Sequence, residues 1–368
     1  MELPELKIGN LIAKIPIVQG GMGVGISLSS LAGNVALNGG IGVISGVEIG
    51  FNEPDYYKNK KEANLRALKK HIKKAQEICN DGIVGINLMS VQNNFAEMAQ
   101  KAVEEKIDII FSGAGLPLEL PKFTDGSDTK IAPIVSSGRA ISLICKSWDR
   151  HYQVVPDAVV VEGPKAGGHL GFSKEDLDDP SKELDNLLLE VLKAIKPYEE
   201  KYNKKIPVIA GGGIFNGEDI AKFLELGASG VQMGSRFVAT SECDASQAFK
   251  ETYVNCKSED IQIINSPVGL IGRAINNDFL NEVKLGLKKP IKCIANCLKP
   301  CDPTKSQYCI ADALINAQKG NMKSGFAFAG ENAYKIDKIV SVKELIEELI
   351  EELISEAKLC FKSFSNGD

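Results

Sequence analysis

The sequence has little net charge, no long apolar run and few histidines. Its 368 residues carry a net charge of −5, which indicates no basic surface for nucleic acid or for an anionic membrane. No stretch approaches the ~20 apolar residues of a membrane-spanning helix. The start, MELPELKIGN, contains acids and no apolar core, so we expect no secretory signal. These absences predict a cytoplasmic protein that binds neither nucleic acid nor membrane.

Cysteine is present, but nothing in its pattern indicates disulfide bonds. The nine cysteines are an odd number in a long chain. Without an export signal, free or metal-bound thiols in a reducing cytoplasm are favoured. Hydrophobic residues make up 44% of the chain and charged residues 25%, which is typical of a globular protein with a large core. The sequence has no long-range repeat and no low-complexity tract.

Short apolar runs recur along the first 240 residues, each followed by glycine or polar residues. Continuous β-branched runs of this length are typical of parallel strands that are covered on both faces. The eight runs are IPIVQ (Ile15–Gln19), IGVIS (Ile41–Ser45), GIVGINL (Gly82–Leu88), IDIIF (Ile107–Phe111), IAPIV (Ile131–Val135), DAVVV (Asp157–Val161), IPVIA (Ile206–Ala210) and GVQMG (Gly230–Gly234).

Amphipathic segments lie between these runs. SLSSLAGNVALNGG offers Ser27 or Ser29 as an N-cap and Gly39 as a helix stop. A second segment places apolar residues between Leu65 and Ile78 on one stripe, with lysines opposite. Because strand and helix patterns alternate eight times, we predict an α/β fold, a closed (β/α)8 barrel of the TIM type. An open doubly wound sheet is the alternative.

The alternation breaks after the eighth run. Residues 241–335 contain few apolar runs and collect cysteine, proline and asparagine. We expect these residues to form an inserted lid, because active sites of such barrels lie where the chain leaves the strands. A regular helix pattern returns at Ser341–Leu359, and we expect residues 336–368 to pack on the outside of the barrel. The barrel itself is assigned to residues 1–240.

Glycine and polar residues collect at the ends of the predicted strands. QGGMGVG (Gln19–Gly25) follows the first run and Asn87 lies near the end of the third. Glycines let the backbone approach a flat ligand closely. After the seventh and eighth runs, Gly211–Gly213 and Gly234–Ser235 fit a phosphate site made by backbone amides. The chain has no Walker pattern and no GxGxxG within a strand–helix unit. It therefore predicts a flat, phosphate-bearing cofactor at the barrel mouth.

His169 is one of only three histidines and follows the sixth run in VVVEGPKAGGHLGF (Val159–Phe172). At a strand end it would face the barrel mouth. There it could take a proton from a substrate carbon or orient the substrate, because its pKa is near working pH. The alternative is a loop histidine that is only solvated. His71, in a helix pattern among lysines, and His151, in a polar linker, are interpreted as solvated.

Six segments together resemble the FMN-dependent nitronate monooxygenases, formerly called 2-nitropropane dioxygenases. They are PIVQGGMG, GINLM, SGAGLP, EGPKAGGHLG, IAGGGI and VQMGSRFVAT, in this order between Pro16 and Thr240. Enoyl-acyl carrier protein reductase II enzymes share the barrel and most of these segments. The chain departs from compact members of both groups at Pro164 and Lys165 and in its long cysteine-bearing insert.

The resemblance implies a TIM barrel with FMN at its mouth, which makes residues 1–240 an FMN-binding barrel. His169 matches the catalytic histidine of the family. The implied cofactor residues are Gly20, Gly21, Met22 and Asn87 at the flavin ring, Gly167 and Gly168 beside it, and Gly212, Gly213, Gly234 and Ser235 at the phosphate. Gly211 joins the phosphate loop by its position after the seventh run.

The reaction implied by the resemblance is the oxidation of an alkyl nitronate, with FMN as electron acceptor and dioxygen as partner. The products are a carbonyl compound and nitrite. With a neutral nitroalkane, His169 would first take the α-proton. One alternative is an NAD(P)H-dependent enoyl-acyl carrier protein reductase that uses FMN and an enoyl thioester. An alternative of another class is a non-catalytic flavin-binding redox sensor. Whether the chain forms a homodimer stays open.

Four cysteines lie close together in KCIANCLKPCDPTKSQYC, at Cys293, Cys297, Cys301 and Cys309. Their spacing is neither the paired CxxC of a zinc ribbon nor a bacterial ferredoxin run. One interpretation is a structural zinc or iron–sulfur site. The other is that they are free thiols that pack as small apolar residues. We assign no metal, and the four remain candidate ligands.

Overall fold

Strands and helices alternate along most of the chain in the computed structural model, which describes residues 3–287, 293 and 296–365, with the backbone alone for 357–365. The strands are β1 (Leu6–Ile8), β2 (Leu11–Ala13), β3 (Ile17–Gln19), β4 (Ile41–Ser45), β5 (Ile83–Met89), β6 (Ile109–Gly113), β7 (Lys130–Val135), β8 (Val159–Glu162), β9 (Gly168–His169), β10 (Val208–Gly211), β11 (Gly230–Met233), β12 (Ile261–Asn265) and β13 (Ile271–Ile275).

The α-helices are α1 (Ser29–Leu37), α2 (Lys60–Cys79), α3 (Phe95–Glu104), α4 (Leu120–Thr124), α5 (Gly138–Tyr152), α6 (Leu184–Tyr202), α7 (Gly217–Glu225), α8 (Ser235–Val238), α9 (Gln247–Val254), α10 (Asp278–Lys284), α11 (Ile310–Gln318) and α12 (Val342–Ser365). Short 3-10 helices cover Glu175–Asp178, Pro180–Lys182, Ser258–Asp260, Met322–Ser324 and Glu331–Lys335.

Eight parallel strands close into a barrel in the order β3 to β8, then β10 and β11. The barrel closes where β11 pairs with β3, with Val231 opposite Ile17. These strands coincide with the eight apolar runs, so the predicted (β/α)8 barrel is confirmed and the open doubly wound sheet is wrong. The apolar runs are uninterrupted because both faces of each barrel strand are buried. Val160 packs in one buried cluster inside the barrel, and its neighbours Val159 and Val161 pack in another with the helices.

A short antiparallel hairpin, β1–β2, precedes the barrel and has no counterpart in the predicted pattern. Its residues Leu6 and Ile8 are fully buried and pack in the same cluster as Val18 and Val160. The hairpin therefore adds to the apolar packing of the barrel interior. No helix within the described part of the chain is both long and apolar enough to cross a membrane.

Helix α1 begins at Ser29, but neither predicted serine caps it. The Asp244 carboxylate, from beyond the eighth barrel strand, accepts hydrogen bonds from the amides of Leu28, Ser30 and Leu31 at 2.8, 3.2 and 3.1 Å. A carboxylate suits this position because helix N-termini present free N–H groups and partial positive charge. The hydroxyl of Ser27 accepts a bond from the Met22 amide instead. The predicted N-cap was therefore wrong.

His71 was predicted to be solvated, but it is partly buried between two helices. Its Nδ1 lies 3.0 Å from the hydroxyl of Ser29, where α1 packs against α2. Burial and the neighbouring lysines lower its pKa to about 4. His151 is exposed, as expected. Of the two histidines outside the glycine-rich loop, one is therefore a structural residue of the helix layer.

The chain after β11 forms a small sheet with the loop that follows β8 and then returns to the outer helix layer. Strand β13 pairs with β12 and also with β9, which makes a small antiparallel sheet. Helix α12 packs against α7 and contacts α1. The Gly217 amide at the start of α7 donates a 2.7 Å bond to the Glu352 carboxylate of α12. These contacts place α12 in the layer of helices outside the barrel.

Candidate active site

A cavity opens where the chain leaves the carboxyl ends of the barrel strands. Its lining includes all but two of the predicted site residues, namely Gly20, Gly21, Met22, Gly167, Gly168, His169, Gly212, Gly213, Gly234 and Ser235. Asn87 and Gly211 are not part of the lining. Asn87 lies directly behind Gly21, where a β-carbon on Gly21 would collide with it. Gly211 is buried at the end of β10.

The first glycine loop, after β3, folds back on itself. The Met22 amide donates to the hydroxyl of Ser27 at 2.8 Å, and the Ser27 amide donates to the Met22 carbonyl at 3.0 Å. The Gly20 amide donates to the Met233 carbonyl at 2.9 Å. This bond holds the loop beside β11. The loop therefore lines the cavity with its glycine backbone and with Met22, Val24 and Ile26.

The loop that carries His169 is held by the segment that follows the barrel. Gly168 and His169 form β9 only by pairing with Arg273 and Gly272 of β13. The Arg273 guanidinium, buried under the loop, donates to the carbonyls of Pro164 and Ala166, the latter at 2.8 Å. Because a guanidinium offers five fixed donors, it can hold both carbonyls in one geometry. The histidine is therefore placed by strand pairing and by Arg273.

His169 lies inside the cavity with a defined partner on one ring nitrogen. Its Nε2 lies 2.7 Å from the hydroxyl of Ser266, which is buried. Its ring centroid lies 5.0 Å from that of Phe328. Burial lowers the pKa of His169 to about 4. The imidazole is therefore neutral at pH 7 and can accept or donate a hydrogen bond.

Glu162 is a second titratable group in the same cavity. It ends β8 and lines the cavity. Burial raises its pKa to about 7. Within the part of the chain that the structure describes, no hydrogen-bond or ion-pair partner meets its carboxyl group. The carboxyl therefore titrates close to pH 7. The prediction missed it, although it is the only acid in VVVEGPKAGGHLGF.

The far end of the cavity collects donors suited to an anion. Gly212 and Gly213 adopt φ values of +101° and +89°, which favour glycine. Arg236 pairs with Glu348 at 2.6 Å through Nη2, but its Nε is buried and has no acceptor within the described residues. A buried donor without a partner costs free energy unless a ligand meets it. This end of the cavity therefore fits the phosphate of a cofactor.

The cavity also has room against its glycines for a flat group. A β-carbon on Gly168 would meet no atom within 4 Å, and one on Gly234 would meet only the Met22 side chain, with Sδ at 3.5 Å. Both positions face open space where a ring or a phosphate could lie. Together with the free donor of Arg236, these residues fit a flat, phosphate-bearing group such as a flavin nucleotide.

The segment after Phe328 makes hydrogen bonds to two of the loops that line the cavity. The Gly330 amide donates to the Ser235 hydroxyl at 2.9 Å. The Asn332 side chain donates to the Gly213 carbonyl at 2.6 Å. The prediction missed these contacts, because Gly330 and Asn332 lie more than ninety residues beyond their partners in sequence and belong to no recognisable motif. Other lining residues that were missed include Glu48, Met89, Gln232, Leu298, Ile310, Ala311 and Leu314.

None of the four clustered cysteines, Cys293, Cys297, Cys301 and Cys309, forms a disulfide bond. Within residues 3–287, 293 and 296–365, no group of three or more histidine, cysteine or acidic side chains is arranged to hold a metal ion. Cys297 lines the cavity, and burial raises its pKa to about 12. Its thiol is therefore protonated at pH 7. The arrangement gives the candidate metal ligands Cys293, Cys297, Cys301 and Cys309 no support.

A family model and several curated proteins match this chain. Residues 5–352 match the family model for nitronate monooxygenase. A probable nitronate monooxygenase of Staphylococcus aureus strain MSSA476 is 24% identical over 300 residues, which cover 74% of this chain and 78% of that protein. The same kind of protein from strain Newman is 34% identical over 128 residues, or 34% of each chain.

Solved structures share the fold over nearly the whole chain. FabK from Thermotoga maritima has a TM-score of 0.74 and 25% identity, and the match covers 95% of both chains. A nitroalkane oxidase from Streptomyces ansochromogenes has a TM-score of 0.69 and 21% identity, over 94% of this chain and 97% of that one. At that identity, the second likeness shows the fold alone.

Proposed function

The chain belongs to the nitronate monooxygenase family and is a flavin-dependent oxidoreductase, and from this we propose that it binds FMN and oxidises alkyl nitronates. The observation that carries the proposal is the neutral, half-buried His169 in a cavity built from the glycine loops of the barrel. The proposed products are a carbonyl compound and nitrite, with dioxygen as partner. We also propose that residues 241–335 cover the substrate side of a barrel formed by residues 1–240.

The proposed cofactor contacts follow from the shape of the cavity. Gly20, Gly21 and Met22 would lie along the ring, and Gly167 and Gly168 beside it. Gly212, Gly213, Gly234 and Ser235 would hold the phosphate, with the free Nε of Arg236 close by. A bound flavin would supply the electron acceptor that none of these side chains can provide.

His169 would orient the nitronate and, with a neutral nitroalkane, accept its α-proton. Proton acceptance needs the lone pair of a neutral imidazole, and burial keeps this one neutral above about pH 5. A nitronate oxygen would instead accept a hydrogen bond from the ring N–H. Ser266 fixes the ring through Nε2, so Ser266 is a positioning residue. The cover over the cavity would exclude bulk water, which strengthens the hydrogen bond from the histidine.

The identity of the electron donor tests the proposal directly. Protein loaded with FMN is mixed without oxygen, in separate experiments, with an alkyl nitronate and with NADPH or NADH. We expect the flavin absorbance to bleach with the nitronate and to stay unchanged with either nicotinamide. Protein that takes up no FMN, or whose bound flavin no nitronate bleaches, would contradict the proposal.

The second candidate is an enoyl-acyl carrier protein reductase that uses FMN and NAD(P)H. The structural likeness to FabK favours it, since that match extends over 95% of both chains. Rapid bleaching by NADPH or NADH alone, followed by recovery of the absorbance with an enoyl thioester, would select the reductase.

Glu162 gives a prediction for the pH dependence of nitronate oxidation. Its pKa of about 7 means that the carboxyl is neutral below pH 7 and negative above it. We expect kcat/KM for a preformed, anionic nitronate to fall about tenfold as pH rises through 7. A tenfold fall corresponds to about 1.4 kcal/mol of repulsion between the carboxylate and the anionic substrate.

The matched variant is Glu162→Gln, which keeps the shape of the side chain and removes its charge. In Glu162→Gln the step near pH 7 should disappear, and kcat/KM should keep its low-pH value. A step that persists unchanged in this variant would show that another group produces it.

A further inference from the structure

A buried carboxylate borders the cavity on the side of the barrel opposite His169, and we infer that it binds a hydroxyl group of the substrate. The carboxylate belongs to Glu48, which follows β4 and lines the cavity. This inference rests on the proposed nitronate oxidation and specifies its substrate as a nitronate that also carries a hydroxyl group.

Glu48 is held in place from the side of helix α2. Only 4% of the residue is exposed. Its Oε2 accepts a hydrogen bond from the Tyr56 hydroxyl and pairs with the Lys60 ammonium at 2.7 Å. Its backbone has a φ of +49°, in the left-handed region that residues with side chains rarely occupy. Such conformations persist only where the surrounding contacts fix them, and they collect at binding sites.

The second carboxylate oxygen of Glu48, Oε1, has no partner within the part of the chain that the structure describes. Both donors from the protein meet Oε2. The fully buried side-chain atoms that lack a partner among the described residues belong to Arg236, Asn276 and Tyr308, and not to Glu48. Oε1 therefore borders open space, and the open space that Glu48 lines is the cavity. A ligand that donates a hydrogen bond can meet this oxygen there.

The barrel separates Glu48 from the other groups of the site. Strands β4 and β8 lie four strands apart in either direction around the eight-stranded barrel. The loops that carry Glu48 and His169 therefore face each other across the mouth. The loops proposed for the phosphate follow β10 and β11 instead. A substrate with its nitronate group at His169 would bring its other end toward Glu48.

The charges around Glu48 favour a neutral donor over a cation. Lys60 already neutralises the carboxylate at 2.7 Å. An ammonium group of a substrate would lose its water and meet a charge that is already compensated. A hydroxyl group loses less hydration and gains a hydrogen bond to a carboxylate, which is stronger than one between neutral groups. A methyl group in the same place would leave Oε1 without a donor, which costs free energy.

The test compares, on protein loaded with FMN, nitronates that differ only in a terminal hydroxyl or methyl group. The pairs are the nitronates of 3-nitropropan-1-ol and 1-nitrobutane, of 4-nitrobutan-1-ol and 1-nitropentane, and of 5-nitropentan-1-ol and 1-nitrohexane. Each is mixed with the protein anaerobically, and the concentration for half-maximal bleaching is measured. For at least one pair, we expect the hydroxyl compound to require about tenfold less. Compounds with an ammonium group in place of the hydroxyl should gain no such advantage.

Variants of the carboxylate and of its counter-ion refine the test. Glu48→Met removes the acceptor, so the preference for the hydroxyl compound should disappear. Lys60→Met keeps the carboxylate but removes its counter-ion, so the ammonium compounds should bind about tenfold more tightly than to the unmodified protein. Glu62→Met, at an exposed position of α2, is the matched control and should keep the hydroxyl preference. Retained flavin absorbance in each variant shows that the fold is intact.

The outcomes separate this inference from the proposed function. Equal concentrations within all three pairs, or unchanged binding of the ammonium compounds in Lys60→Met, would overturn the inference and leave the function standing. A hydroxyl preference that survives in Glu48→Met while FMN binding weakens would also overturn it, since Oε1 would then meet the cofactor. An absence of bleaching by every nitronate would overturn the proposed function itself.

Discussion

Replacing His169 by asparagine should lower kcat/KM for a neutral nitroalkane by about 10²- to 10⁴-fold, the usual contribution of a positioned general base. The neutral substrate must lose its α-proton before it can be oxidised, and asparagine cannot accept that proton. The loss on a preformed nitronate should be much smaller, because that proton is already absent. FMN should remain bound, because the proposed cofactor contacts come from the glycine loops.

The pH dependence of activity on a neutral nitroalkane tests the role of His169 as a base independently. A base must be neutral to act, so with a pKa of about 4 the activity on a nitroalkane should fall only as pH drops through about 4. With an unperturbed histidine as the base, this activity would fall near pH 6.5. Ser266→Ala is the control for positioning: it frees Nε2 and should lower kcat while the limb stays near pH 4, because burial alone lowers the pKa of His169. Equal losses on nitroalkane and nitronate in His169→Asn would mean that His169 only orients the substrate.

Gly234→Val should weaken FMN binding about 10- to 100-fold, as expected for about 1–3 kcal/mol of overpacking. The backbone at Gly234 has a negative φ, so it accepts other residues. A β-carbon there meets only the Met22 side chain, with Sδ at 3.5 Å. The protein itself should therefore tolerate a larger side chain, and the loss of affinity should come from the volume that the cofactor needs. Flavin fluorescence during titration of the apoprotein measures it.

A second pair of variants separates cofactor crowding from backbone strain. Gly213→Ala combines a left-handed φ of +89° with contact to Lys165, whereas Gly126→Ala has a φ of +72° and open space around it. Both should lower thermal stability slightly, but only Gly213→Ala should weaken FMN binding. Unchanged affinity in both Gly234→Val and Gly213→Ala would place the cofactor away from these loops.

The barrel could be predicted from the sequence because each strand is buried on both faces. Runs such as Ile41–Ile44 and Val159–Val161 contain no polar side chain, and the pattern repeats with glycine at the strand ends. The hairpin β1–β2 was missed, since strands of three residues carry too little pattern to be recognised.

The glycine loops and His169 could be predicted because they follow directly on barrel strands, where topology brings all strand ends to one face. Their supports could not be predicted. Arg273, Ser266 and Asn332 reach the site from segments with no regular pattern. Glu162 was visible in sequence, but only burial within the fold distinguishes its carboxyl from an ordinary surface acid.

The capping of α1 by Asp244 has a consequence for how the chain is made. The carboxylate and the Leu28 amide are separated by 216 residues, so during translation the first helix emerges long before its cap exists. Contacts of such long sequence separation form late, because the intervening loop must be closed first. The amino-terminal strands and α1 therefore stay incompletely stabilised until Asp244, which follows the last barrel strand, has left the ribosome. The emergence of Asp244 from the ribosome, and not the synthesis of the first half, should mark the onset of resistance to proteases in α1.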